Sequence, residues 1–237
     1  MPTKSSLAVL FLSLVPFSAI PKSGGLLKQA GMHGERFPLA ALLAQAPDIN
    51  PAVLKMALGA MQRVNDLGIN ARLDRLLLID YTKPSTEPRF WVFDLNTGKV
   101  LFRELVAHGK NTGDNMAVRF SNTPGSLMSS LGVFLTANTY IGKHGYSLRL
   151  RGLEEGINDK SMERAIVLHP ASYVSEAIAA KLGRLGRSWG CPAVRPEIAR
   201  QLIDAVRDGA VLFAYYPDEK WLRSSRFISE DLYASLN

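Results

Sequence analysis

The period of the hydrophobic positions changes along the chain. After Met1-Pro2-Thr3-Lys4 comes an apolar run from Leu7 to Val15, closed by Pro16. A basic start, a short apolar run and a helix breaker read as a secretory signal over residues 1–20, too short for a stable membrane span. An amphipathic or buried N-terminal helix is the other reading. Residues 21–47 mix Gly, Lys and short apolar stretches and read as a linker with one loose helix. The spacing then predicts a leading helix over 50–66, with Asn50 as N-cap and Pro51 at the first helical position. Leu54, Ala57, Leu58, Met61 and Val64 recur on one face, and Gly68 stops the pattern.

From Leu73 the pattern turns to strands. Arg75–Tyr81 is a short apolar run. The runs 89–95 and 99–106 flank Asn96-Thr97-Gly98, which marks a β-hairpin. Residues 132–136, 146–150 and 164–168 read as further strands. Helices are expected over 172–182 and 196–207, and a closing strand over 210–215. The fold class is therefore mostly β with helices (α+β), a sandwich or barrel-like sheet decorated by helices. The domain spans 48–218, and 219–237 is a C-terminal tail.

At 237 residues the chain holds one full domain with a sizeable core. Its net charge of +7 suits an anionic surface such as cell wall or lipid headgroups, and equally suits mere solubility. The basic residues are scattered and not interleaved with aromatics, so no nucleic acid partner is expected. There is no phosphate-cradling Gly-x-x-x-x-Gly-Lys-Ser/Thr loop and no His-Glu-x-x-His. One cysteine and four dispersed histidines make no metal site, and no cofactor is implied.

That one cysteine, Cys191, stands in Gly186-Arg187-Ser188-Trp189-Gly190-Cys191-Pro192. In an exported protein a single thiol has no disulfide partner within its own chain. It is either a small buried hydrophobe or a nucleophile. A Gly- and Ser-rich turn leaves backbone N–H groups free to hold an oxyanion. His169 ends an apolar strand pattern 22 positions earlier, where a side chain faces a rim. Together they make a candidate thiolate–imidazolium pair with a thiolate population near neutral pH. A structural His bonded to backbone is the alternative.

The segment Gly186–Val194, with Ile166-Val167-Leu168-His169 upstream, resembles the catalytic segment of the murein L,D-transpeptidase catalytic-domain family. The blocks 106–111, 120–126, 129–133 and 140–148 are similar to that family's blocks in the same order. The resemblance covers roughly 50–218. It implies a mostly β fold in bacterial envelope proteins, periplasmic or exported, and a Cys thioester. Cys191 would attack the carbonyl of the L-centre of meso-diaminopimelate in a peptidoglycan tetrapeptide stem and expel D-alanine. An amine, on a wall peptide or an envelope protein, would take the acyl group in transpeptidation; water would take it in carboxypeptidation. His169 would be general base and acid, and the N–H groups of Gly190 and Cys191 the oxyanion donors. A non-catalytic envelope-binding module is the reading from a different class.

Three positions depart from the better-known branch of that family. Trp189 stands where that branch has His. The nearest following arginine is Arg195, with Arg187 as the other source of a carboxylate-binding fork. Pro170 replaces Gly after the histidine. Ser188 either bonds His169 or substrate, or braces the turn. His144 and His108 either line the cleft or sit in loops, and Asn122 and Ser126 flank a Pro-Gly turn. Tyr140 and Trp189 offer apolar walls to a substrate, or simply pack.

Overall fold

The computed structural model of the chain describes residues 1–2 and 39–234. The signal reading of residues 1–20 lies outside them apart from the first two, as does most of the 21–47 segment. All the elements below belong to the unit Glu35–Asn237.

Among the described residues there are eight strands and six helices. Helix α1 (Leu39–Gln45) falls at the end of the segment read as a linker. Leu42 is buried, and Gln45 donates to Gly98 O and accepts from Val100 N–H, which ties the helix to the hairpin turn. Helix α2 (Pro51–Asp66) begins at Asn50, whose side chain accepts from Ala52 N–H at 2.9 Å. Its buried face, Val53, Leu54, Met56, Ala57, Ala60, Met61 and Val64, packs on the sheet. Fully burying one such side chain contributes about 1.5–3 kcal/mol.

The strands are β1 (Arg72–Asp80), β2 (Phe90–Asp94), β3 (Lys99–Glu104), β4 (Gly132–Gly142), β5 (Gly145–Gly152), β6 (Val167–Pro170), β7 (Ala193–Val194) and β8 (Ala210–Tyr215). They form one mixed sheet in the order β3-β2-β1-β8-β4-β5-β6-β7. The last strand in sequence lies in the middle, parallel to β1 and antiparallel to β4, and is buried throughout. That explains its unbroken apolar run, Ala210–Tyr215. At the far edges, Ala107 just beyond β3 pairs with Ala193 of β7, the two exchanging backbone hydrogen bonds of 2.9 and 3.4 Å. The sheet is thereby a nearly closed barrel with few open edges. The mostly β, helix-decorated class expected from the sequence is the one observed.

Several boundaries differ from expectation. Strand β6 begins at Val167, not 164, because Arg164 N–H, Ala165 N–H and Ile166 N–H bond back to Lys160, Met162 and Ser161 in tight turns. Ala165 has a φ of 51°, which removes it from the strand. Helix α3 (Glu176–Leu182) starts four residues later than predicted, with Ser175 as N-cap accepting from Ile178 N–H. Helix α4 (Pro196–Val206) starts at its proline. Residues 219–234, set apart as a tail by the sequence pattern, form α5 (Glu219–Ser224) and α6 (Glu230–Ala234). Trp221 is buried in the core and its indole N–H lies 3.1–3.2 Å from both Glu154 oxygens. No described helix is long and apolar enough to cross a membrane.

Candidate active site

The cysteine turn is held by backbone, not by side-chain bulk. Gly190 has a φ of 125°, and a Cβ built there would stand 2.7 Å from Met128 O. A Cβ on Gly109 would stand 2.9 Å from Gly190 Cα. Two glycines are needed at this approach because the backbones touch. Ser188 N–H donates to His108 O, and Lys110 N–H donates to Ser188 O. Ser129 Oγ donates to Gly190 O at 3.1 Å and accepts from Gly109 N–H.

Strands β6 and β7 bring the histidine and cysteine segments together, since they run parallel with His169 opposite Ala193. His169 N–H reaches Pro192 O at 3.3 Å. The imidazole Nδ1 lies 2.9 Å from Pro170 O. A carbonyl only accepts, so Nδ1 carries the hydrogen and Nε2 keeps its lone pair. Proline at 170 therefore serves through its carbonyl, although it lacks an N–H.

The rim position expected for His169 is not what the fold provides: the residue is 1 % exposed. His144, on the turn between β4 and β5, covers it, with ring centroids 4.4 Å apart and planes 28° apart. Gly142 and Gly145 pair across that turn and set its shape. Burial pushes the His169 imidazole below its ordinary range; Pro170 O opposes this, and His144 and Lys143 add to it.

The thiol is wrapped by the segment that precedes His169. Val167 N–H donates to Cys191 Sγ at 3.4 Å, and Sγ–H lies 3.6 Å from Ala165 O. Burial pushes the thiol up, while Val167 N–H, Arg164 and Lys143 pull it down. No hydrogen bond joins Cys191 Sγ to His169 among the described residues, and burial works against the charged form of each group.

The other residues singled out by sequence fall as follows. Ser188 Oγ donates to Cys191 O at 2.6 Å and accepts from Gly190 N–H at 3.1 Å, so it braces its own turn. Gly190 N–H is thereby occupied, whereas no hydrogen bond among the described residues uses the Cys191 N–H. Arg187 donates to Gly113 O and Lys110 O and pairs with Asp114. Arg195 is gripped by Glu104 through two 2.8 Å contacts. The Arg195 fork is thus committed within the chain, whereas among the described residues the hydrogen bonds and ion pair of Arg187 all run through Nη1. Trp189 is 69 % exposed beside Cys191, with Lys143 Nζ 4.6 Å from its ring. Tyr140 stacks under Arg149. His108 is buried, its Nδ1 accepting from Arg89 at 2.8 Å, and its imidazole is pushed down to about 4, chiefly by burial and then by Arg89. Asn122 bonds Asp159 and Lys160 N–H, and Ser126 receives Arg164 Nη2.

Sequence reasoning passed over three groups at this site: Arg164, Lys143 and the Pro170 carbonyl. Arg164 looked like the first residue of a strand. Lys143 fell inside the 140–148 block with no role assigned to it. A carbonyl carries no residue-type signal.

A family model described as the L,D-transpeptidase catalytic domain matches residues 45–215. The chain belongs to that family. Among solved structures it is similar to an L,D-transpeptidase from Mycobacterium smegmatis, at 15 % identity and a TM-score of 0.35, covering 60 % of this chain and 59 % of that one. It is also similar to an L,D-transpeptidase from Stackebrandtia nassauensis, at 16 % identity and a TM-score of 0.36, covering 68 % and 67 %. A third is the helical cell shape determining protein Pgp2 (K307A mutant) from Campylobacter jejuni, at 13 % identity and a TM-score of 0.42, covering 68 % and 56 %. The chain spans about three fifths of the length of the Mycobacterium smegmatis structure. No curated protein matches it. As a member of the family, the chain carries its cysteine turn and strand-end histidine within the matched residues.

Proposed function

We propose that the protein is a cysteine-dependent L,D-transpeptidase of the cell envelope that acts on peptidoglycan stem peptides. The observation that carries the reading is the pairing of β6 with β7, which brings the Cys191 and His169 segments together within a family-matched domain, with the His169 Nε2 lone pair left by the Nδ1–Pro170 contact.

In the first step the Cys191 S–H proton passes to His169 Nε2 as sulfur attacks the carbonyl carbon of the L-centre of meso-diaminopimelate. The Cys191 N–H is the available oxyanion donor. The carbon–nitrogen bond to D-alanine breaks, and the proton on His169 goes to the leaving amine. An acceptor amine then attacks the thioester, His169 takes its proton, and the thiol is restored. Water in place of the amine gives carboxypeptidation.

The net charge of +7 supports association with an anionic wall, and the pattern over residues 1–20 supports export. Incubation with a disaccharide tetrapeptide, with and without an added amine such as glycine, tests the reading. D-Alanine release from the wild type, absent from His169→Ala and Cys191→Ala, is expected. No release from folded wild type with a titratable thiol would contradict it.

A further inference from the structure

The cations around Cys191 are not equivalent. Arg195 is paired with Glu104, and Arg187 shares the exposed Asp114 carboxylate with Arg184. Arg164 is half-buried and, among the described residues, pairs with no carboxylate. Its four hydrogen bonds run from Nη1 to Ser121 O and Ser130 Oγ, each 2.6 Å, and from Nη2 to Met128 O at 2.6 Å and Ser126 Oγ at 3.2 Å. All four acceptors are neutral. A half-buried guanidinium held only by carbonyls and hydroxyls keeps its whole charge.

That charge lies against the cysteine turn. A Cβ built on Gly190, the residue before Cys191, would stand 3.3 Å from Arg164 Nη2. The next residue along, Ala165, supplies the carbonyl 3.6 Å from Sγ, and Val167 supplies the N–H at 3.4 Å. Residues 164–167 thus wrap the sulfur with one cation, one acceptor and one donor. The left-handed Ala165, φ 51°, lets both its carbonyl and the Val167 N–H face the sulfur. All four Nη hydrogens are already spent, so the guanidinium cannot also clamp a substrate carboxylate with that edge.

We infer that Arg164 is a positioning residue for the chemistry at Cys191: a fixed, unpaired cation that stabilises the thiolate as it forms and staples loop 121–130 against the cysteine turn. The other titratable groups near the thiol are Lys143 on the β4–β5 turn, Tyr81 after β1 and Tyr173 before α3, with His169 on the β6 strand that pairs β7. Lys143 is exposed and screened by solvent, and the two tyrosines, Tyr81 buried and Tyr173 half-buried, are pushed upward by desolvation. Arg164 is the least solvent-screened source of positive potential among them. The inference rests on Cys191 as the nucleophile but not on the substrate proposed for it.

The test is the pH profile of Cys191 alkylation by iodoacetamide, and the rate ratio of anionic iodoacetate to neutral iodoacetamide, on the full chain. Arg164→Gln is expected to slow alkylation at pH 7 about tenfold, the effect of one pKa unit on the thiolate fraction, and to lower the iodoacetate ratio. Arg164→Lys keeps the charge and loses the fork, and is expected to restore both readouts. A purely structural role predicts that Lys fails as Gln does, and that result would overturn the inference, as would an unchanged profile in Arg164→Gln. If Arg164→Gln does not fold, wild type and Lys143→Gln decide: an iodoacetate preference that persists without Lys143 supports Arg164 as its source, and one that vanishes refutes it. Failure of the proposed activity is separate. It would leave a folded protein with Arg164-dependent alkylation and no D-alanine release.

Discussion

Arg195 and Glu104 face each other across two 2.8 Å contacts, with the carboxylate largely buried and the guanidinium partly exposed. The carboxylate sits at the end of β3 and the arginine just after β7, so the pair fastens the two sides of the barrel where Ala107 meets Ala193. Its role is closure. Arg195→Gln should leave the KM for a tetrapeptide stem within about twofold and cost about 1 kcal/mol of stability in a urea melt. A large rise in KM with an unchanged melt would return Arg195 to substrate binding.

His144 lies on His169 and should be felt in its titration. His169 is held down by burial first, with His144 and Lys143 contributing. Removing the covering ring in His144→Ala relieves both effects. The His169 imidazole should titrate at higher pH than in the wild type, as followed by its Cε1 proton in NMR. An unchanged or lower midpoint would show that the stacked arrangement is not the one in solution.

His108 should give the protein an acid-sensitive slope. Its folded-state value of about 4 lies below the ordinary 6.5. The unfolded chain therefore binds more protons between those values, and stability rises with pH there. Its contribution is fully present above about pH 6.5 and is lost as pH falls toward about 4. In His108→Gln that part of the slope should vanish from denaturation midpoints measured across this window, and an identical slope in wild type and variant would contradict the burial argument.

Gly109→Ala tests the glycine contact behind the cysteine turn. The new methyl would meet Leu127 O at 2.5 Å and Gly190 N at 3.0 Å, all backbone. No flexible side chain is available to yield, so the turn carrying Cys191 must shift. Acylation should fall at least tenfold, the size of loss expected from small misplacement of a reacting group. Near-normal acylation would mean the turn tolerates displacement.

Trp221→Ala should cost about 3–5 kcal/mol, as for other buried aromatics, because it also strips Glu154 of its indole donor. A thermal melt unchanged from wild type would show that residues 219–234 are an appendage.

Much of the scaffold could be read from the residues. Asn50-Pro51 marked the start of α2 because capping is local chemistry, and Ala210–Tyr215 looked like a strand because a strand buried on both faces needs no polar alternation. The cysteine turn and its family were legible from Gly186–Val194. Less legible were features that depend on contacts between distant segments. The pairing of His169 with Ala193, the His144 cover and the Glu104 grip on Arg195 all join residues far apart in sequence. Arg164 was hidden by the apolar run it opens, since nothing in Arg164-Ala165-Ile166 announces the left-handed turn at Ala165. Trp221 was discounted because a single aromatic in a short polar segment carries no periodicity.

The central claim is that Cys191 carries the acyl group of a stem peptide. Intact-protein mass spectrometry of wild type and Cys191→Ala, incubated with disaccharide tetrapeptide and quenched in acid, tests it most directly. An adduct on the wild type alone, equal to the stem minus D-alanine and mapped to Cys191, is the predicted result. Folded wild type with a free thiol and no adduct, or an adduct of equal yield on Cys191→Ala, would contradict it.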